Sequence, residues 1–263
     1  MDCTGIFDLI DSYEMKVSIY CKDLVKDKII IDYNADIIHE SASIIKILIM
    51  AEALRQSEEG IFNLCQNIKV KESDIVPFSV IEDLDIREFT YKDLITLMIA
   101  YSDNTATNVL IDLLGMDKIN LLAKNLQLKN TILQRKMMDF QSIERGMDNH
   151  TTIMDTFEIF KVLKDNSLVG KELSELAYHI LYTQKISDAF LRFVDKKDLV
   201  IFHKTGELAG LNHDVGIFQL GSELYFLGIF VSNGTSNWKN KEFIGKVSEL
   251  IYRSFKNSLL QEV

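Results

Sequence analysis

Three short runs of the chain place hydroxyls and amines where one could take a proton from the other. The first is Ser43-Ile44-Ile45-Lys46, inside HESASIIKILIM, the stretch from His39 to Met50. Residues three apart on a helix share a face, so this serine and lysine can meet. A serine hydroxyl attacks poorly unless a neighbouring base takes its proton. A lysine can be that base when desolvation, or a second cation, leaves it partly neutral. Ile44, Ile45, Ile47, Leu48, Ile49 and Met50 would supply the desolvation. The same residues also read as a helix-capping serine followed by a lysine that reaches to solvent. Ser236-Asn237-Trp238-Lys239 repeats the spacing in a polar stretch, so the pattern alone decides nothing.

The second run is Ser102-Asp103-Asn104, between two helical patterns. All three residue types are favoured helix caps. Chemically, Ser102 could shuttle a proton and the Asn104 amide could donate to a substrate carbonyl. The third is Lys204-Thr205-Gly206, closing the strand-like LVIFHKTG. The glycine would let a substrate backbone approach, Thr205 could donate to an anion, and Lys204 would be the second cation beside Lys46. A strand ending in a turn glycine is equally an ordinary structural feature.

These runs need elements to hold them. KVSIYCKDL and IIIDYNAD alternate with strand period around VKDK, which predicts a hairpin after a short helix. From Ser43 to about Ser187 the patterns are mostly helical. TYKDLITLMIAY opens with Thr90 and Asp93 at capping-box spacing, and TATNVLIDLLG ends at Gly115, suited to a C-terminal cap. TTIMDTFEIFKVLKD and KELSELAYHILYTQKI continue the series. DLVIFHKTG, HDVGIFQLG and ELYFLGIFVSNG then read as strands, before the amphipathic NKEFIGKVSELIYRSFKNSL. The order predicts an α+β fold: one antiparallel sheet assembled from both chain ends, flanked by helices, plus an all-helical lobe. Residues 1–42 and 188–263 would form the sheet-plus-helix lobe and 43–187 the helical lobe, with a cleft between them.

A chain of 263 residues can bury a sizeable core. With 39 acidic against 29 basic residues, its net charge of -10 argues against nucleic acid or an anionic membrane as main partner. Cys3, Cys21 and Cys65 form no CxxC pair, and the five histidines (His39, His150, His179, His203, His213) show no metal-ligand spacing. No metal or organic cofactor is expected, because lysine would do the proton chemistry. The N-terminal MDCTGIFDLIDSYEMK lacks the basic and apolar regions of a signal peptide, so a cytoplasmic location is expected unless a leader has been removed. No uncharged apolar run is long enough to span a bilayer.

Taken together, SxxK at a helix start, SDN at a helix junction and KTG at a strand end occur in that order, about 60 and then about 100 residues apart. This set resembles the class A β-lactamase branch of the penicillin-recognising serine acyl-transferases, as do SDNTATNVLIDLLG and HKTGELAGLNHDVGIF. The resemblance implies the layout predicted above. It makes Ser43 the acylated nucleophile, Lys46 its proton acceptor, and Ser102 the residue that passes a proton to the leaving nitrogen. Asn104 would hold the acylamido side chain, and Lys204, Thr205 and Gly206 would meet the substrate carboxylate. The N–H groups of Ser43 and Glu207 would form the oxyanion hole, and Phe78, in VPFSV, would lie near the aromatic gate. His213 would help at the carboxylate, because HDVGIFQLG lacks the arginine many members place there.

One loop departs from the family pattern. The usual Arg-x-Glu-x-x-x-Asn is matched by Arg135-Lys136-Met137-Met138-Asp139-Phe140-Gln141. Met137 then stands in place of the glutamate that works on deacylating water, Gln141 in place of the asparagine, and His150 in place of the aspartate closing the loop. Asp139 is the nearest carboxylate, a surrogate base or a partner of Arg135. The expected function is a class A β-lactamase-like serine hydrolase, acylated at Ser43 by β-lactams or related amides, with hydrolysis slowed by Met137. The alternatives are a penicillin-binding D,D-carboxypeptidase-like protein acting on D-Ala-D-Ala-like amides, or a sensor that keeps its adduct. In each case the partner is a small molecule.

Overall fold

Apolar residues fill both faces of the C-terminal strands, and that composition dictates a sheet covered on two sides. The computed structural model describes residues 4–261 apart from 196 and 198, so the Cys3 reading lies outside the described residues. Helix α1 (Thr4–Asp11) precedes the hairpin of β1 (Lys16–Asp23) and β2 (Lys28–Tyr33). Strand β3 (His39–Glu40) and a 3-10 turn (Ala42–Ile45) lead directly into α2 (Lys46–Glu58). The next elements are β4 (Asn67–Lys69), β5 (Glu88–Thr90), α3 (Tyr91–Ala100), α4 (Asn104–Leu114) and α5 (Met116–Asn125). They are followed by α6 (Phe140–Glu144), β6 (His150–Thr151), α7 (Ile153–Lys164) and α8 (Lys171–Tyr182). The chain closes with β7 (Leu199–Leu208), β8 (Leu211–Leu220), β9 (Glu223–Ser232) and α9 (Asn237–Gln261).

The main sheet has the order β2-β1-β9-β8-β7 and is antiparallel throughout. The N-terminal hairpin therefore joins the last strand, with Lys16 opposite Ser232, as the α+β expectation requires. Side chains alternate along β9. Tyr225, Leu227, Ile229 and Val231 pack with Phe243, Ile244, Val247 and Ile251 of α9 and Ile6 of α1. Phe226 and Phe230 join a second core with residues of α2, α3, α4 and α7. Helix α2 is buried along most of its length, which is why its run reads as apolar on every side. Its neighbours stop and start where capping chemistry says they should. Thr90 and Asp93 make the reciprocal capping box of α3, and Gly115 ends α4 at φ +86°. Among the described residues, no helix is long and apolar enough to cross a membrane.

Candidate active site

Strand β7 is a sheet edge, and the 3-10 turn carrying Ser43 lies against it. A Cβ on Gly206 would come within 3.1 Å of Ile44 Cγ1, 3.2 Å of Ala42 Cβ and 3.3 Å of the Ser41 carbonyl. Glycine is needed here for the serine's own turn to reach the strand, before any substrate is considered. Ser43 is half-buried within the turn, and Lys46 begins α2 one turn later.

Lys46 is fully buried. Its Nζ donates to the Ser102 carbonyl (2.6 Å), Ser102 Oγ (3.2 Å) and Asn104 Oδ1 (2.9 Å). Three oxygens thus surround this nitrogen, and among the described residues no hydrogen bond joins Ser43 to Lys46. Lys204, also fully buried, donates to Ser102 Oγ (3.1 Å) and the Thr205 carbonyl (2.8 Å). Two amines therefore converge on one hydroxyl. Burial first, and then the nearby Lys204 charge, hold the Lys46 amine well below the ordinary lysine range, against an opposing pull from Asp103. Burial lowers Lys204 to about 7, with Asp214 opposing.

Asp103 is a helix cap, as its residue type predicts: it accepts from the Ala106 N–H (2.8 Å) at the start of α4. It also accepts from Ser79 Oγ (2.9 Å) and the Ile81 N–H (3.1 Å), tying the 76–81 segment to the motif. Asn104 Nδ2 donates to Pro77 O (3.1 Å), and the Asn104 N–H donates to Phe78 O (3.3 Å). Phe78 itself is 79% exposed at the rim beside Asn104.

Backbone strain is concentrated around these groups. Among the described residues, nine non-glycine residues have left-handed φ, and five of them are Asp, Asn or Gln. The other four are Ala42 (+43°), Phe78 (+59°), Ser102 (+58°) and Met138 (+65°). Each lies in or next to a predicted functional run, where sparsely populated backbone persists only if its surroundings enforce it.

The Met137 loop corrects two expectations. Arg135 pairs with Asp148 (2.7 Å), not with His150 or Asp139, so the loop closes two residues earlier than an ungapped match requires. Asp139 caps α6, accepting from the Ser142 N–H (3.1 Å) and Ser142 Oγ (2.7 Å). Those bonds hold its carboxyl below the usual range, the opposite of what a base near neutrality needs. Met137 is 8% exposed, and Asn108 grips its backbone both ways: Nδ2 to Met137 O (3.1 Å) and Met137 N to Oδ1 (2.8 Å). Gln141 is exposed in α6. Sequence reasoning missed Asn108, although its place one helical turn after Asn104 was a usable signal.

A third correction concerns His213. Expected at a substrate carboxylate, it lies 1% exposed beneath the Ser43 turn, with both ring nitrogens hydrogen-bonded inside the protein. Thr205 is 7% exposed on β7, whereas Glu207 is exposed, its carboxylate held by Asn237 Nδ2 (2.9 Å) and Lys241 (2.8 Å).

A serine turn, two buried amines and the hydroxyl they share thus gather at the edge of this sheet. The Beta-lactamase enzyme family matches the chain over residues 4–255, and the chain belongs to that family. β-Lactamase CTX-M-97 of Escherichia coli is 31% identical over 180 residues, which are 66% of this chain and 61% of that enzyme. The match thus spans about three-fifths of that relative's length. The β-lactamase of Sphaerobacter thermophilus superposes with a TM-score of 0.88 at 24% identity, covering 97% of this chain and 98% of that one. A mutant of PBP-A, solved as an acyl-enzyme complex with penicillin G, gives 0.87 at 21% identity, over 96% of this chain and 95% of that one.

Proposed function

We propose that the protein is a serine hydrolase of the class A β-lactamase type, acylated at Ser43 by β-lactams or related amides. The observation that carries this reading is Ser102 Oγ, held at 3.2 and 3.1 Å by two buried lysines next to the Ser43 turn. The substrate would lie in a cleft between the sheet-plus-helix lobe (1–42 and 188–263) and the helical lobe (43–187), with Phe78 at its mouth. Ser43 Oγ attacks the amide carbon while its proton passes to the neutral Lys46 amine. The new Oγ–C bond and the breaking C–N bond share a tetrahedral intermediate. The N–H groups of Ser43 and Glu207 receive its oxyanion, worth about 3 kcal/mol per donor. Ser102 delivers the proton to the departing nitrogen and is reloaded from the lysines. Lys204 and Thr205 bind the substrate carboxylate, and the second Asn104 Nδ2 hydrogen is offered to the acylamido carbonyl.

Emptying Ser43 requires water and a base, and Met137 supplies neither. Loss of general-base assistance typically costs about 10²–10⁴-fold, so the acyl-enzyme should turn over slowly. Met137 also favours the second reading, a D,D-carboxypeptidase-like or adduct-keeping protein. Incubation with a fluorescent penicillin, followed by intact mass over time, separates the two. Both readings expect one covalent adduct that Ser43→Ala abolishes; labelling of that variant at the parental rate would sink both. Release of hydrolysed β-lactam supports the first, and a persistent adduct supports the second.

A further inference from the structure

Ser43 follows a segment that is fastened atom by atom. Lys16 Nζ donates to Ile38 O (2.7 Å), the Ser41 N–H donates to Asn149 O (2.8 Å), and His213 Nε2 lies 3.0 Å from Glu40 O. One assignment of protons satisfies every hydrogen bond in this buried group. The Val231 N–H donates to His213 Nδ1 (3.2 Å), so that nitrogen is an acceptor and Nε2 carries the hydrogen given to Glu40 O. In that assignment Ser18 Oγ donates to Asn34 O (2.7 Å) and His39 Nε2 donates to Ser18 Oγ (2.9 Å). His39 Nδ1 then accepts from Ser232 Oγ (2.6 Å). Both rings are neutral in this arrangement, in keeping with burial lowering His39 to about 3 and His213 to about 4. The two rings meet edge to face at 5.4 Å, and His213 stacks on Phe230 at 4.2 Å.

This scaffold acts where the chain is under strain. Ala42 stands at φ +43° between the fastened segment and Ser43, and its Cβ faces the β7 edge, where a Cβ on Gly206 would come within 3.2 Å of it. Without a fixed Glu40 carbonyl, relaxation of Ala42 would carry Ser43 away from that edge.

We infer that His213 and His39 are positioning residues, clamping the chain before Ser43 so that its hydroxyl and N–H keep their place against strand β7; the inference rests on the proposed role of Ser43 as nucleophile. A misplacement of about 1 Å can cost roughly a hundredfold in rate, so the effect should be measurable. The experiment follows the acylation rate constant and the half-saturating concentration of a fluorescent penicillin for His213→Phe and His213→Gln, with thermal melts alongside. Phenylalanine keeps the stack on Phe230 but donates nothing to Glu40 O, whereas glutamine restores a donor at similar reach. His213→Phe is expected to lower the acylation rate constant by roughly ten- to a hundredfold with the half-saturating concentration little changed, and His213→Gln to recover most of it. Amide hydrogen exchange at residues 41–44, measured without any β-lactam, should quicken in His213→Phe and return in His213→Gln.

Parental acylation and parental exchange in a folded His213→Phe protein would overturn the inference, as would a folded His213→Gln protein no better than phenylalanine. If His213→Phe does not fold, His213→Gln and Ser232→Ala decide. Faster exchange at 41–44 in Ser232→Ala, with His213→Gln near parental, supports the clamp; unchanged exchange removes it. If the parent protein takes no label, the nucleophile reading fails by itself, and the exchange arm still judges the clamp.

Discussion

The chain contains the same four-residue pattern twice, in opposite environments. Ser43 and Lys46 sit at the entry to a buried helix, Lys46 without solvent contact. Ser236 and Lys239 sit at the entry to α9, both exposed, and Ser236 Oγ accepts from the Lys239 N–H (3.4 Å). The second pair is the capping serine and solvated lysine that SxxK ordinarily denotes. The first differs in what surrounds its amine: three oxygen acceptors, a second buried lysine and apolar walls. Spacing is common to both pairs, so reactivity must come from burial and from the second cation.

The sharpest way to break that contrast is to remove each amine in turn. Lys46→Met keeps side-chain length in the buried site and removes the proton acceptor. Its acylation by a fluorescent penicillin, followed by stopped-flow or timed quench, should fall by about 10²–10⁴-fold. Lys239→Met, the same change in the solvated copy, should label at the parental rate. Equal effects at the two sites would mean that burial does not distinguish them.

A smaller effect is expected from supplying the carboxylate that the loop lacks. Met137→Glu places a base on a backbone already gripped by Asn108, one helical turn along α4 from Asn104. Decay of the adduct, read by intact mass, should quicken by roughly tenfold or more, while its formation changes little. Asp139→Asn should leave decay unaltered, because that carboxylate is engaged in capping α6. Slower decay in Asp139→Asn would restore it as the base.

The contrast also explains what could be read from sequence. Strand and helix periods, the Thr90–Asp93 box and the Gly115 cap are local properties, and local sequence carries them. The pairing of β1 with β9 joins residues more than two hundred positions apart, yet the order of elements was enough to predict one sheet from both ends. Within the site, hydrogen bonds join Lys46, Ser102, Asn104 and Lys204, with the Ser43 turn packed beside them on β7. Failures arose where a side chain's direction or a loop's length decides the matter. His213 shares the Lys204 face of the sheet, but it falls beneath the Ser43 turn and not in the open cleft. Asp148 replaced His150 as the partner of Arg135 because an ungapped match cannot register a shortened loop. Asn108 does its work on a distant backbone, and its place one helical turn after Asn104 is the only mark of that in the sequence.

The finest test concerns the second cation. Lys204 must be charged to bind a carboxylate, and burial lowers it to about 7, so its charged fraction falls as pH rises through neutrality. Lys46 works in the other direction: it accepts a proton only when neutral, a form that grows as pH rises toward and past its lowered value. Opposed requirements produce a bell. Acylation efficiency should rise from the acid side, pass a maximum near neutrality and decline by several-fold toward about pH 9. Acylation efficiency reports the free protein, so binding does not move that limb; Thr205, which also meets the carboxylate, keeps the decline modest. Esterifying the substrate carboxylate should lower efficiency at neutral pH and flatten only the alkaline limb, leaving the acid limb in place. An ester analogue that kept the full bell would mean that the alkaline limb does not report Lys204.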